Sequence, residues 1–194
     1  MEENFFEFEY EGEEFKRVEG RNKNIIDRVF ENCIFRNCDF SSADFRETTF
    51  DNSEFIECNL SLTKFNDSKL RGVLFKDCKL VGIDFTKCDR FILDFEFSKC
   101  LIQNCSFADL KVPKIRFIEC NVFGTDFINA DMREANFNKS SLEESIFENT
   151  NLCKANFMES FNYRINPVRN NIKKAKFSMP DVLSLLDDFD IIIK

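Results

Sequence analysis

The chain has 194 residues, of which 43% are hydrophobic, so it is long and apolar enough to bury a core and is not disordered throughout. It contains no histidine, which excludes every His-dependent catalytic triad and every histidine metal site. Its net charge of −8 is concentrated at the start, where residues 1–15 have seven acidic side chains and no basic one.

The cellular compartment can be predicted from the segments that the sequence lacks. No apolar run is long enough to span a membrane, and the acidic start is unlike a secretory signal or a transit peptide. Nine cysteines in such a chain are typical of reduced thiols. We therefore expect a cytoplasmic protein that makes no membrane contact.

The N-terminal segment 1–24 alternates apolar and acidic residues in the stretch FFEFEYEGEEF. This alternation predicts a strand with one buried face. We expect it to be a capping strand that covers the first turn of the following fold, while its glutamates discourage pairing at the exposed edge.

A period of five dominates residues 25–177. Phe or Leu occupies every fifth position from Phe30 to Phe85, and a second run of large apolar residues extends from Phe107 to Phe157. A step of five fits neither the strand period of two nor the helix period of 3.6. The pattern predicts an all-β solenoid with four-sided, 20-residue coils, in which each pentad forms one side and the coils stack at about 4.8 Å.

The cysteines follow the same 20-residue repeat, which predicts that they are small core residues stacked in internal ladders. The two predicted ladders contain Cys38, Cys58 and Cys78, and Cys100 and Cys120. Cys153 directly follows the central residue Leu152, so we expect it to be an exposed thiol. The absence of any CxxC motif argues against a structural zinc site, and no metal or cofactor is expected.

The repeat changes phase once. The spacing from Phe85 to Phe107 is two positions more than a whole coil, so two residues are inserted within 86–97. One interpretation is a bulge at a corner, and the other is a small loop that shapes a binding face. The segment offers several competing core residues, namely Cys88, Phe91, Ile92, Phe95 and Phe97.

The C-terminal segment 178–194 departs from the repeat. Ser178 is a suitable helix N-cap, and Pro180 and Asp181 suit a first helical turn. We expect an α-helix, followed by a short strand over 190–194. The apolar face of the helix would cap the solenoid and pair with a second copy in a two-fold homodimer. This capping and dimerisation face is predicted to contain Val182, Leu185, Leu186 and Phe189.

The sequence contains no motif of an enzyme. It has no Gly-rich phosphate loop and no nucleophile elbow, and its many carboxylates occupy positions that are polar by default in the repeat. Aspartates that precede central residues are expected to be solvated or bonded to a corner: Asp39, Asp44, Asp84, Asp126 and Asp131. No catalytic residue is predicted.

The charges form bands along the chain. The net charge is −5 over 27–63, +4 over 64–116, −5 over 117–163 and +5 over 164–176. Because sequence order is axial order in a stacked solenoid, the rod would display bands of alternating sign. These bands are either ordinary surface variation or acidic stretches that a DNA-gripping protein could bind in place of phosphates.

The repeat resembles the pentapeptide-repeat family, whose consensus is A(D/N)LXX. The matching stretches are SSADF at 41–45, NADMREANF at 129–137 and NTNLCKANF at 149–157. The resemblance implies a right-handed quadrilateral β-helix. The C-terminal AKFSMPDVLSLLDDFDIIIK further resembles the end of the Qnr-type quinolone-resistance proteins, which are dimeric and similar to B-form DNA in shape and charge. Some Qnr-type members also project loops from the coil, and this chain has no such insertion.

This resemblance implies a non-enzymatic DNA mimic that binds bacterial DNA gyrase or topoisomerase IV and protects it from quinolones, without direct contact to nucleic acid. The alternative is a scaffold that binds an unrelated cytosolic protein. The acidic residues predicted to meet the partner are Asp39, Asp44, Glu47, Asp51, Glu54, Asp126, Asp131, Glu134, Glu143, Glu144 and Glu148.

Overall fold

The fold is an all-β solenoid, seen in a computed structural model that describes residues 5–91, 93–189 and 191–192. Its chain winds through about eight four-sided coils, and all described strand pairs are parallel. Partners lie one coil apart before the phase change, as for Phe30 with Phe50 and Phe35 with Phe55. The predicted solenoid and its 20-residue coil are confirmed, whereas the right-handedness of the β-helix stays a prediction.

The regular elements are short because a side of a coil has only five residues before the chain turns. The strands are β1 (Glu9–Glu11), β2 (Glu14–Lys16), β3 (Val29–Glu31), β4 (Ile34–Arg36), β5 (Thr49–Asp51), β6 (Glu54–Ile56), β7 (Lys69–Lys76), β8 (Lys79–Val81), β9 (Leu93–Ser98), β10 (Leu101–Gln103), β11 (Arg116–Ile118), β12 (Asn121–Phe123), β13 (Asn156–Phe157) and β14 (Lys176–Phe177). Two 3-10 helices span Phe85–Lys87 and Asp181–Phe189.

We number the four faces of a coil 1 to 4. In one coil their central residues are Phe50, Phe55, Leu60 and Phe65 in that order, and all four are buried. Face 1 contains β1, β3, β5 and the start of β7, and face 2 contains β2, β4, β6, the end of β7, β9 and β11. Face 3 contains β8, β10 and β12, whereas face 4 is joined mainly by single bridges between coils.

The core is a set of phenylalanine stacks along the rod. Phe35 and Phe55 stack with ring centroids 4.7 Å apart, and Phe117 and Phe137 stack at 5.2 Å. All four rings are fully buried. Since stacked aromatic pairs add about 0.5–1.5 kcal/mol beyond the burial of their area, these columns hold successive coils together.

The corners explain the period of five. The second residue after most central positions has a left-handed backbone, as in Asn37 with φ 53° and Glu57 with φ 55°. This conformation turns the chain into the next side, and it is usually reserved for glycine. The strain at non-glycine corners is offset because the corner amide donates a hydrogen bond to the next coil, as Asn37 N does to Ile56 O at 2.9 Å.

The N-terminal segment is part of the solenoid. A single capping strand was expected over 1–24, but β1 and β2 form two sides of the first coil and pair with β3 and β4. That expectation is wrong, because Tyr10 and Phe15 occupy the central positions in the same register as later phenylalanines. The cap is instead the half-buried ring of Phe5, which lies against five aromatic rings, those of Tyr10, Phe15, Phe30, Phe35 and Phe40.

The phase change is a shift in register between successive coils. Asp89 N donates to Ser68 O, 21 positions back, as Lys69 N does to Thr48 O in the regular coils, whereas Val73 pairs with Phe95, which lies two positions beyond one coil. The register between β7 and β9 shifts between these two points. The inserted residues therefore belong to a bulge on face 1 within 88–94.

The core residues of this bulge are Cys88, Phe95 and Phe97, which are all buried. Phe91 is 87% exposed, so its candidacy for the core was wrong, and Ile92 lies outside the described residues. Phe95 takes the interior space because its ring stacks on Phe85 at a centroid distance of 5.4 Å.

The C-terminal helix is a 3-10 helix over Asp181–Phe189, and the expectation of an α-helix was wrong. The side-chain hydroxyl of Ser178 accepts from Glu159 N at 2.8 Å, so it holds the helix start against the preceding coil. A 3-10 helix has three residues per turn, which arranges its side chains in three straight rows. The strand predicted over 190–194 lies mostly outside the described residues, and Ile191 and Ile192 have no regular structure.

Candidate partner-binding surface

The eleven acidic residues predicted to meet a partner are distributed around the rod. Five lie on face 4 or at the corners beside it, namely Asp44, Glu47, Asp126, Glu144 and Glu148. Six lie on faces 1 to 3 or at the corner between faces 1 and 2, namely Asp39, Asp51, Glu54, Asp131, Glu134 and Glu143. The acidic bands are therefore rings around the rod, and the predicted residues do not form one continuous surface.

Local ion pairs also reduce the negative charge of this set. The pairs are Asp44–Arg46 at 2.9 Å, Asp51–Arg71 at 4.0 Å, Asp131–Arg133 at 2.9 Å, Glu134–Lys154 at 3.7 Å and Glu148–Arg169 at 3.4 Å. Apart from the pair of Asp44, whose side chain is buried, these pairs are exposed and add little stability, about 0–1 kcal/mol each. Their effect on a partner is larger, because each neutralises a carboxylate that the partner would otherwise meet.

The aspartates that precede central residues bond to the corners, as expected. Asp39 Oδ1 accepts from Ser41 N at 2.9 Å, and Asp126 Oδ1 accepts from Ile128 N at 2.8 Å. Asp39 Oδ1 also accepts from the side chain of Asn59 in the next coil at 3.2 Å. These aspartates therefore stabilise the repeat.

Six acidic residues do share one side of the rod, on face 4 and the corner that follows it. We define this face-4 acidic strip by Asp27, Glu47, Asp67, Asp84, Asp109 and Asp126. All but the half-buried Asp126 are exposed, and no ion pair in the described part of the chain engages any of the six. Lys64 and Lys87 interrupt the strip.

The coil geometry aligns the strip along the rod. Asp27, Glu47 and Asp67 occupy the same corner of three successive coils, and their amides donate to the next coil at 2.8–3.0 Å. With coils about 4.8 Å apart, the strip extends over about 24 Å. Sequence reasoning selected only Glu47 and Asp126 from it. The missed signal was the 20-residue recurrence of acids at 27, 47 and 67, which places them on one side.

The thiols are mostly interior. Eight of the nine cysteines are buried, and Cys153 is half-buried on face 1. Burial raises the pKa of Cys88 to about 12 and that of Cys105 to about 11. Neither thiol is therefore a nucleophile near neutral pH.

The residues predicted for dimerisation separate into two rows of the 3-10 helix. Val182 and Leu185 are half-buried, and Leu185 packs against the core. Leu186 and Phe189 are exposed, by 37% and 45%, and share their row with Leu183, which is also 37% exposed. The exposed apolar row is therefore Leu183, Leu186 and Phe189, with three-residue spacing in place of the α-helical spacing that was expected.

The bulge on face 1 creates a cavity of about 210 Å³ at the adjoining corner. Its charged lining residues are Asp94, Glu96, Lys114 and Arg116, and Arg116 pairs with Glu96 at 3.1 Å. The phase change therefore shapes the surface, although the cavity contains balanced charges and no catalytic pair. No helix in the described ranges has the length and apolar character needed to cross a bilayer.

Stacked five-residue sides around a phenylalanine core define a pentapeptide solenoid. The model of the pentapeptide repeat region matches residues 29–95, and that of pentapeptide repeats (8 copies) matches residues 120–158. The chain belongs to the pentapeptide-repeat family. A comparison with curated protein sequences found no match.

Solved structures of QnrB1, described as a plasmid-mediated fluoroquinolone resistance protein, are similar to this chain. One trypsin-treated variant has a TM-score of 0.63 at 17% identity and covers 96% of this chain and 98% of its own. A second has a TM-score of 0.62 at 18% identity, with coverage of 96% and 99%. At these identities the likeness shows a shared fold.

Proposed function

We propose that the protein is a non-enzymatic, cytoplasmic rod that binds a bacterial type II topoisomerase in place of DNA and protects the enzyme from quinolones. The observation that carries the proposal is the face-4 acidic strip, a set of six carboxylates along one side of a rod of the QnrB1 fold. DNA gyrase and topoisomerase IV bind DNA through basic grooves, and a row of carboxylates offers such a groove a matching charge.

The strip is less densely charged than a duplex. It has six carboxylates over about 24 Å, where B-form DNA has about 14 phosphates over the same length. We therefore expect the rod to compete with DNA weakly, and the complex to weaken as salt is added because exposed charges are screened.

The experiment is gyrase supercoiling of DNA, with and without a quinolone, across a titration of the protein. Restored supercoiling in the presence of the drug supports protection, and loss of supercoiling without the drug supports a mimic that inhibits. The strip variant Asp27→Lys, Glu47→Lys and Asp67→Lys should lose either effect, because it replaces three aligned carboxylates with cations.

A matched control uses the diagonally opposite corner of the rod. Glu57, Asp77 and Glu119 are exposed corner residues with φ of 53–56°, so their exchange for lysine alters net charge and backbone strain equally. This control variant should act as the wild type does. Equal loss of activity in both variants would show a response to net charge alone and would overturn the role of the strip.

The alternative function is a scaffold for an unrelated cytosolic protein. The exposed Phe91 on the face-1 bulge favours this second candidate, because an isolated exposed aromatic ring is typical of a contact with another protein. No effect on gyrase, together with capture of another protein that Phe91→Ala abolishes, would support the scaffold.

We also propose that the rod forms a homodimer through its C-terminal end. The exposed row Leu183, Leu186 and Phe189 supports this proposal, since an apolar row on a surface helix is stabilised when a second copy covers it. Leu186→Asp should convert a dimer to a monomer in sedimentation experiments, whereas Glu159→Gln on the adjoining coil should not. A monomeric wild type would contradict the proposal.

A further inference from the structure

A cavity of about 400 Å³ lies at the C-terminal end of the rod, between Tyr163 and the 3-10 helix. It is separate from the face-4 acidic strip. Two carboxylates line it, those of Asp181 and Asp187, and none of its described lining residues is basic. Pro180 and Leu183 supply apolar walls.

The 3-10 geometry places the two carboxylates together. Residues three apart share one edge of such a helix, so Asp181, Ser184 and Asp187 form a polar row over the cavity. The Ser184 hydroxyl donates to the Asp181 carbonyl oxygen at 2.8 Å, which leaves both carboxylates available. Asp188, on another row, is instead bonded to Asn166 at 2.7 Å.

The second observation is the buried hydroxyl of Tyr163. The residue is 2% exposed and lines the cavity, yet its hydroxyl has no hydrogen-bond partner among the described residues. A buried hydroxyl without a partner is destabilising, so a ligand that bonds to it gains affinity. Burial, and then the nearby charge of Asp181, raises the pKa of Tyr163 to about 12, and both residues line the same cavity.

We propose that this cavity binds an alkylammonium group, whose N–H groups donate to the carboxylates of Asp181 and Asp187 and to the hydroxyl oxygen of Tyr163. The alkyl chain would lie against Pro180 and Leu183. A divalent metal fits poorly, because no cluster of three or more His, Cys, Asp or Glu ligands occurs in the described part of the chain. The inference is independent of the proposed topoisomerase function.

The probe is n-butylammonium, and the readout is tyrosine fluorescence. The chain has two tyrosines and no tryptophan, so Tyr10→Phe leaves Tyr163 as the sole emitter. Phenylalanine should fit at position 10, because Phe30 and Phe50 occupy the equivalent positions of the next two coils. We expect a saturable change in the emission of Tyr163, and no change with the uncharged n-butanol.

Variants locate the site. Asp181→Asn with Asp187→Asn should weaken n-butylammonium binding by about tenfold or more, since hydrogen bonds to charged groups are the stronger ones. Asp188→Asn is the matched control and should bind as the parent does. Tyr163→Phe should be more stable than the wild type without the amine and should gain less thermal stabilisation from it.

Three results would overturn the proposal. They are the absence of saturable binding to the parent protein, equal binding of n-butanol and n-butylammonium, and equal affinity in the double Asn variant and the Asp188→Asn control. The comparison of alcohol with amine uses only the parent protein, so it decides the question even where a variant does not fold.

Discussion

The thiols of Cys78 and Cys100 occupy equivalent positions in successive coils across the phase change, although the coil that separates them is longer than the others by two positions. Cys78 Sγ donates to Phe55 O at 3.2 Å, and Cys100 Sγ donates to Phe75 O at 3.3 Å, so each thiol repeats the contact of the one before. The two ladders that the spacing predicted are therefore one ladder, which contains Cys38, Cys58, Cys78, Cys100 and Cys120.

This ladder predicts how the native thiols react. We expect only Cys153 to react with a thiol reagent in the folded protein, because the other eight are buried. The measurement is the number of thiols that react with a chromogenic disulfide, first natively and then in denaturant. Cys153→Ser should remove the native reaction and leave eight thiols reactive after unfolding. Fast native labelling of that variant would contradict the prediction.

The N-terminal end is predicted to depend on one ring. Phe5→Ala should lower the free energy of unfolding by about 1–3 kcal/mol, because Phe5 covers the first coil and contacts five rings. Phe6→Ala is the matched control, since Phe6 is 79% exposed and should change stability little. Urea unfolding of both variants measures the difference, and equal effects would show that Phe5 is not the cap.

Two glycines should respond to alanine for different reasons. A Cβ on Gly20 would clash with the Phe40 ring, so Gly20→Ala should cost about 1–3 kcal/mol. Gly12 has φ +66° and no atom within 4 Å of an added Cβ, so Gly12→Ala should cost about 1 kcal/mol through the backbone alone.

Truncation of the neighbour separates these two causes. Phe40→Leu should relieve part of the cost of Gly20→Ala and none of the cost of Gly12→Ala in a double-mutant cycle of unfolding free energies. Full additivity at Gly20 would show that the Phe40 contact is not the source of the cost.

Stability should fall at high pH because of Tyr163. Its pKa is raised from 10.0 to about 12 in the folded state, mainly by burial, so the unfolded chain releases this proton first as pH rises. The contribution is present below pH 10 and is lost as pH rises toward 12. Tyr163→Phe should flatten this part of the curve of unfolding free energy against pH, and an unchanged slope would contradict the assignment.

The repeat itself was readable from the sequence. A large apolar residue at every fifth position forces a side and a corner into each pentad, so the coil length, the stacked phenylalanines and the site of the phase change all followed from spacing. The reason is local: each pentad makes the same contacts with the equivalent pentads of the coils before and after it.

The tertiary structure decided what the spacing left open. The charge bands predicted only where the acidic residues lie along the rod axis. The structure adds which side of the rod each residue occupies, so that Asp51 lies on face 1 and Glu47 at the corner before it. Phe95 is buried and Phe91 is exposed, because the interior of one coil does not have room for both rings. The end of the rod set the helix type, and its three-residue period placed Asp181 and Asp187 on one edge above Tyr163. A linear period determines which residues repeat, whereas packing at a bulge or an end depends on neighbours that the period does not specify.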